Sequence, residues 1–278
     1  NVGGCNGTSF TVTVTVNPTP KIGVQTKEIC SGVPFTVSIV DASPTTIIPA
    51  GTNYTWTAPT MQTDITGGVA GNGSSITGTL LNSGTIPKTA TYTVTPTSGA
   101  DGNCVGASFT LTVTVNPIPN ISSSSSQGPT TCGSSTGSIT LSGLVTGVQY
   151  SVTYIKNSGA PTTVNNVTAV SPGTITINNL SAGSYTNIFV TSLSCPSNSI
   201  ASVVLSDPSS PATPIAQSNT PVCSGKDLVL SVTSPISGAT YTWSGPPPLV
   251  PTNTSSGSLT ISSPTISSSG QYSVTVTV

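Results

Sequence analysis

Charge is what this sequence has least of. Only 4% of its 278 residues are charged: five lysines, no arginine and six acids, for a formal net charge of −1. No basic patch can be assembled from five scattered lysines, which excludes phosphate-backbone recognition and leaves an anionic membrane surface poorly matched. Histidine is absent, so a Ser-His-Asp triad cannot be built and a zinc site is disfavoured, the more so as no Cys-x-x-Cys pair occurs. No run approaches the ~20 apolar residues of a membrane helix, so no direct membrane insertion is expected. An initiating Met and a signal-peptide pattern are also missing. A chain opening at Asn1 reads as mature material or an excerpt of something longer.

What is present is alternation. Threonine and valine recur with a two-residue period, bounded by glycine (28), proline (24), serine and asparagine. β-Branched residues suit strands and the others suit turns, so the expected class is all-β. One phrase occurs twice. Cys5 to Pro20 returns as Cys104 to Pro119, differing only at Asn6/Val105, Thr8/Ala107, Val12/Leu111 and Thr19/Ile118. Each copy reads as a cysteine, a turn, one alternating strand and a stiff Asn-Pro-x-Pro exit. A period near 100 residues implies tandem β-sandwiches.

The walk along the chain predicts four segments. Residues 1–19 read as the final strand of a preceding, incomplete domain, with Phe10, Val12, Val14 and Val16 on one face. Residues 20–119 read as a complete sandwich, with strands over 21–24, 35–40, 53–57, 75–81, 90–95 and 109–115. Residues 120–211 read as a divergent sandwich entered through a flexible stretch, Ser122–Ser126, with strands over 138–142, 149–154, 173–178, 185–192 and 199–206. Residues 212–278 repeat the first sandwich without its last strand: Cys223-Ser-Gly matches Cys30-Ser-Gly, Tyr241-Thr-Trp243 matches Tyr54-Thr-Trp56, and Tyr272-Ser-Val-Thr matches Tyr92-Thr-Val-Thr. The window thus reads as cut across an array.

Six cysteines punctuate this order. Cys30, Cys132 and Cys223 open domains; Cys5, Cys104 and Cys195 precede closing strands. One bridge per complete domain predicts Cys30–Cys104 and Cys132–Cys195, leaving Cys5 and Cys223 unpaired within the window. Disulfides imply an extracellular compartment, with buried reduced thiols as the alternative. Trp56 and Trp243 are expected in the cores, Trp56 beside the first bridge.

Pro-Val-Cys223-Ser-Gly, Ala-Thr-Tyr241-Thr-Trp-Ser-Gly-Pro and Ser-Ser-Gly270-Gln-Tyr-Ser-Val-Thr-Val resemble Ig-like repeats of large Bacteroidota surface proteins. The Cys104 to Asn116-Pro ending resembles the related PKD-like repeats. Thr-Cys132-Gly-Ser-Ser-Thr-Gly-Ser-Ile-Thr is loosely similar to repeats of gliding-motility adhesins. The resemblance implies tandem Ig-like (PKD-like) antiparallel sandwiches in an extended array, export by the type IX system, a cell-surface location and no catalytic residues.

Candidate chemistry is sparse. Glu28, Asp41, Asp64, Asp101, Asp207 and Asp227 fall singly in expected loops; a glycosidase pair would need two carboxyls about 5 Å apart. Asp101-Gly-Asn103 is the one local cluster that could interest calcium, and one acid with one amide is weak. Neither a metal site nor a cofactor is expected. The residues favour a non-catalytic adhesin stalk or fibre. Its expected partners are neighbouring repeats of the same chain, with surface glycans or other cell-surface proteins as further candidates. Two alternatives stay open: carbohydrate-binding modules using Tyr54, Trp56, Tyr241 and Trp243, and a strand-exchanging filament subunit in which residues 1–16 complete the third domain of another molecule.

Overall fold

The computed structural model describes residues 3–4, 7–99 and 102–278. Among these every element is a β-strand except one 3-10 turn, Ile266–Ser268. The chain up to Asp207 forms one compact unit and Pro208–Val278 a second. It is an all-β chain of tandem Ig-like antiparallel sandwiches, two in the first unit and one in the second.

The first sandwich contains β1 (Gln25–Cys30), β2 (Phe35–Val37), β3 (Asn53–Trp56), β4 (Thr60–Met61), β5 (Ile65–Thr66), β6 (Gly71–Gly73), β7 (Ile76–Gly78), β8 (Leu81–Asn82), β9 (Lys88–Thr97) and β10 (Phe109–Asn116). Its main sheet runs β1-β10-β9-β3-β6, with β4 also on β9; β2-β7 and β5-β8 make the smaller pairs. All pairings are antiparallel except β1 with β10. Strand β10 shows why the pattern works. Phe109, Leu111, Val113 and Val115 point inward to meet Tyr92, Val94 and Phe35, while the threonines between them point away.

The second sandwich contains β11 (Ser123–Gln127), β12 (Gly137–Ser142), β13 (Gln149–Lys156), β14 (Pro161–Thr168), β15 (Thr174–Leu180), β16 (Gly183–Ser192), β17 (Cys195–Pro196) and β18 (Ile200–Leu205). One sheet runs β11-β12-β15 and the other β14-β13-β16, with β17 and β18 both on β16. Tyr185 donates its hydroxyl to the Ser181 carbonyl at 2.8 Å, pinning the turn ahead of β16. The charge-poor surface satisfies itself through hydroxyl pairs across strands, such as Thr140 with Thr176 and Thr153 with Thr163, each at 2.9 Å.

The second unit contains β19 (Ile215–Ser218), β20 (Leu228–Thr233), β21 (Thr240–Ser244), β22 (Thr252–Thr254), β23 (Ser258–Ile261) and β24 (Ser273–Thr277). Sheet β19-β20-β23 faces sheet β22-β21-β24 across Leu228, Leu230, Tyr241 and Trp243.

Three expectations about strands are corrected, and one strand lies where none is expected. Residues 7–19 form no strand: Phe10 is 87% exposed, whereas its counterpart Phe109 is 6% exposed. The same letters make a core strand only where neighbouring strands supply a ladder and a face. Ser122–Ser126 is not a flexible entry, because Ser123–Gln127 pairs with β12 as an edge strand. Lys21 makes only an isolated bridge to Ile47, and the first strand starts at Gln25. The hairpin strand β14 lacked an apolar face to announce it, since six of its first residues are exposed.

Candidate functional site: a clasp between two sandwiches

The first two sandwiches meet where β10 exits. β1 lies parallel to β10, placing Cys30 opposite Asn116, the last residue before the Pro117-Ile118-Pro119 link. The second sandwich approaches with the β16–β17 hairpin. Its two turn residues, Leu193 and Ser194, both have positive φ (49° and 62°), the conformation a two-residue hairpin turn requires. Neither is glycine, so each costs about 1–2 kcal/mol of backbone strain, held by what the turn reaches. The turn delivers Cys195 to Cys30, and the two form a disulfide with Cα atoms 5.6 Å apart.

Polar contacts surround the bridge. The Asn116 side-chain amide donates to the Glu28 carboxylate at 2.7 Å and to the Leu193 carbonyl at 3.4 Å, so it touches both sandwiches. Asn116 Oδ1 is buried without a partner in the described structure. Just past the link, Asn198 accepts from the Ile121 amide at 2.8 Å and donates to the Ile121 carbonyl at 2.9 Å. This side chain serves Ile121 as a neighbouring strand would. Beneath the link lies a cavity of about 480 Å³ between Ile86 and Pro87 on one side and Leu144, Tyr150 and Leu193 on the other. It contains no charged lining residue and no converging set of titratable groups.

The cysteine pairing differs from the expectation, and the reason is strand direction. Cys30 sits at the exit end of β10 and Cys104 ahead of its entry, separated by a strand about 23 Å long at ~3.3 Å per residue. A disulfide needs Cα atoms closer than about 7 Å. Cys104 is half-buried, outside any disulfide, with its Sγ 3.9 Å from the Asn17 carbonyl. Cys132 does not pair with Cys195 either. It lies in the exposed loop leading to β12, beside the Gly183–Leu205 end of β16, whereas Cys195 pairs with Ser192 at the other end. Cys223 is exposed and outside any disulfide, and Cys5 falls outside the described residues.

The aromatics lie inside. Tyr54, Trp56, Tyr241 and Trp243 are all buried, which removes them as an exposed sugar-stacking platform. Gly71 packs directly over the Trp56 indole, where a Cβ would stand 2.5 Å from Cζ2. Trp243 donates to Thr254 Oγ1 at 3.1 Å, whereas Trp56 Nε1 has no partner in the described structure. Trp56 therefore packs against Gly71 of β6, in a sandwich that holds no Cys30–Cys104 bridge. Burial pushes the Tyr54 and Tyr92 hydroxyls above their ordinary value; burial and then neighbouring Tyr185 do the same for Tyr154. Burial also raises Tyr185, against hydrogen bonding to Ser181 that pulls the other way.

Among the described residues the carboxylates do not converge. Glu28 is in β1 rather than a loop, tied to Asn116. Asp41 caps the Ile48 amide at 2.9 Å, and Asp64 sits in a turn at φ 74°. Asp207 is exposed and Asp227 is exposed beside β20. Asp101 of the Asp101-Gly-Asn103 cluster lies outside the described residues. Among the described residues no three His, Cys, Asp or Glu side chains gather as metal ligands. No described helix is long and apolar enough to cross a membrane.

The clasp residues Asn116 and Asn198 carried no signal in a sequence so rich in asparagine. Asn116 was visible only as the end of the repeated phrase.

Comparison with known proteins agrees on the first sandwich. The family described as PKD-like domain matches residues 27–119, the span of β1 to β10 and its exit. No curated protein matches the chain. Solved structures to which the chain shows similarity include the chicken CNTN1 FN1-FN3 domains, at 10% identity over 92% of each chain with a TM-score of 0.28. A two-domain fibronectin type-III segment of chicken tenascin is 13% identical over 63% of this chain and 93% of that one, with a TM-score of 0.27. Drosophila OTK extracellular domains 3–5 are 14% identical over 93% and 90%, with a TM-score of 0.21.

Proposed function

We propose that this chain is a non-catalytic structural repeat region of an extracellular, cell-surface adhesin, a stalk segment that carries tension between its two ends. The observation that carries the reading is the Cys30–Cys195 disulfide, which ties the start of one sandwich to the end of the next. Tension arriving at β1 passes through the sulfurs to β17 and bypasses the intervening fold. Such a bond persists in an oxidising compartment, which supports an extracellular location. The PKD-like match over residues 27–119 and the resemblance to Bacteroidota surface repeats favour the same setting, with type IX export as part of the proposal. Buried aromatics and dispersed carboxylates favour a spacer over a carbohydrate-binding module or a hydrolase. The test is a glycan array probed with the oxidised chain. The scaffold reading expects no saccharide retained above background; specific retention of one glycan class would replace it with a binding role.

A further inference from the structure

We propose that the clasp disulfide is a one-sided redox lock: a soluble thiol opens it at Cys30, once the Leu193-Ser194 turn has lifted off the bridge. The chemistry goes beyond the scaffold reading and does not depend on it; only its use, releasing the load path, rests on that reading.

The two sulfurs differ in access. Cys195 is completely buried, whereas Cys30 is half-buried at the end of β1. An attacking thiolate approaches in line with the bond, from the side away from the leaving sulfur, so access decides which sulfur it meets. The exchange then has one direction. The thiolate bonds to Cys30 Sγ as a mixed disulfide, the Cys30–Cys195 bond breaks, and its electron pair departs on Cys195 Sγ, which takes a proton from water. A second thiol removes the first from Cys30. Both cysteines end reduced, and the two thiols end as one disulfide.

The hairpin turn lies over the bridge and guards both steps. The Ser194 carbonyl oxygen is 3.8 Å from Cys30 Sγ, and the Leu193 carbonyl oxygen is 3.4 Å from Cys195 Sγ. Both oxygens carry partial negative charge, so the first opposes the incoming thiolate and the second the departing one. A thiolate formed at a fully buried site beside a carbonyl has no water to stabilise it. Cys195 is therefore a poor leaving group until the turn lifts.

The turn is built to lift without unfolding either core. Strand β17 meets β16 at Thr191 with Pro196 and Ser192 with Cys195, and Pro196 has no N–H to give the ladder. Leu193 and Ser194 are exposed and hold positive φ. From the first sandwich, the Asn116 amide holds the Leu193 carbonyl at 3.4 Å, long for a hydrogen bond. Opening stops at Ser197, whose amide donates to the Val190 carbonyl at 2.8 Å and whose hydroxyl accepts from the Val190 amide at 3.0 Å. Beyond it, Asn198 keeps its two bonds to the Ile121 backbone. The reduced cysteines thus stay neighbours, and a small disulfide can re-form the bond by the reverse exchange.

The test is reduction of the 278-residue chain by glutathione, after all reactive thiols have been alkylated. Acid quenching and peptide mapping should find glutathione on Cys30 about tenfold more than on Cys195, and reduction of the folded chain about tenfold slower than in urea. Asn116→Ala should speed reduction several-fold, because the turn loses its hold. Gly71→Ala loosens the same sandwich at the opposite edge of its sheet and should not. Glutathione shared evenly between the two cysteines overturns the proposal. So does reduction as fast in the folded chain as in urea, or equal acceleration by both substitutions, which would mean that the bond opens only by global unfolding. These readouts concern the bond alone, and the glycan array judges the scaffold reading separately.

Discussion

Cys30 and Cys195 lie 165 residues apart in sequence and in different sandwiches, yet their Cα atoms are 5.6 Å apart and their sulfurs are bonded. Peptide mapping without reduction should therefore recover a Cys30–Cys195 linked pair and no Cys30–Cys104 pair. In the chain-entropy picture a loop this long contributes up to about 5 kcal/mol. Replacing both cysteines with serine should lower the unfolding transition of the first unit and leave that of residues 208–278 in place. Calorimetry of both forms checks this.

Gly71 is required by contact rather than by φ. A methyl there would meet the ring of buried Trp56 at 2.5 Å. Gly71→Ala should destabilise the first unit by about 1–3 kcal/mol through overpacking. Gly23→Ala, with nothing within 4 Å of the added carbon, should change little. Denaturant midpoints of the two variants make the comparison.

Asn198 satisfies both backbone groups of Ile121, a residue that is itself buried. Asn198→Ala orphans a donor and an acceptor together and should cost about 1–3 kcal/mol. Hydrogen exchange at the Ile121 amide should accelerate strongly in the variant and stay slow in the parent chain.

Stability should fall in alkali. The Tyr54, Tyr92, Tyr154 and Tyr185 hydroxyls are all raised from 10.0, chiefly by burial. Above pH 10 the unfolded chain releases these protons while the folded chain keeps them, so the unfolded state binds fewer and is favoured. Their contribution is complete below pH 10 and lost as pH climbs through the raised values. Denaturant midpoints of the first unit should be level up to about pH 9 and drop beyond about pH 10.

How much of this was legible in the sequence depended on whether the signal was local. The alternation of Phe109 to Val115 announced a core strand because side-chain period is set by the strand itself. The partner of Cys30 was not legible, because it depends on β1 running parallel to β10, a relation between strands that spacing does not encode. The serine strand β11 was hidden because its reason for existing is the edge of β12. Residues 7–19 taught the converse: the letters of a core strand do not bury themselves without a sheet to join.

The central claim is that the Cys30–Cys195 bond carries tension past two sandwiches, and pulling a single chain by its two ends measures it directly. With the disulfide intact, residues between the two cysteines should stay locked out of the extended length however far the sandwiches unfold. Reduction should release them, adding roughly 540–590 Å for a separation of 165 residues at ~3.3–3.6 Å each. An oxidised chain that extends to the same length as the reduced one would contradict the account.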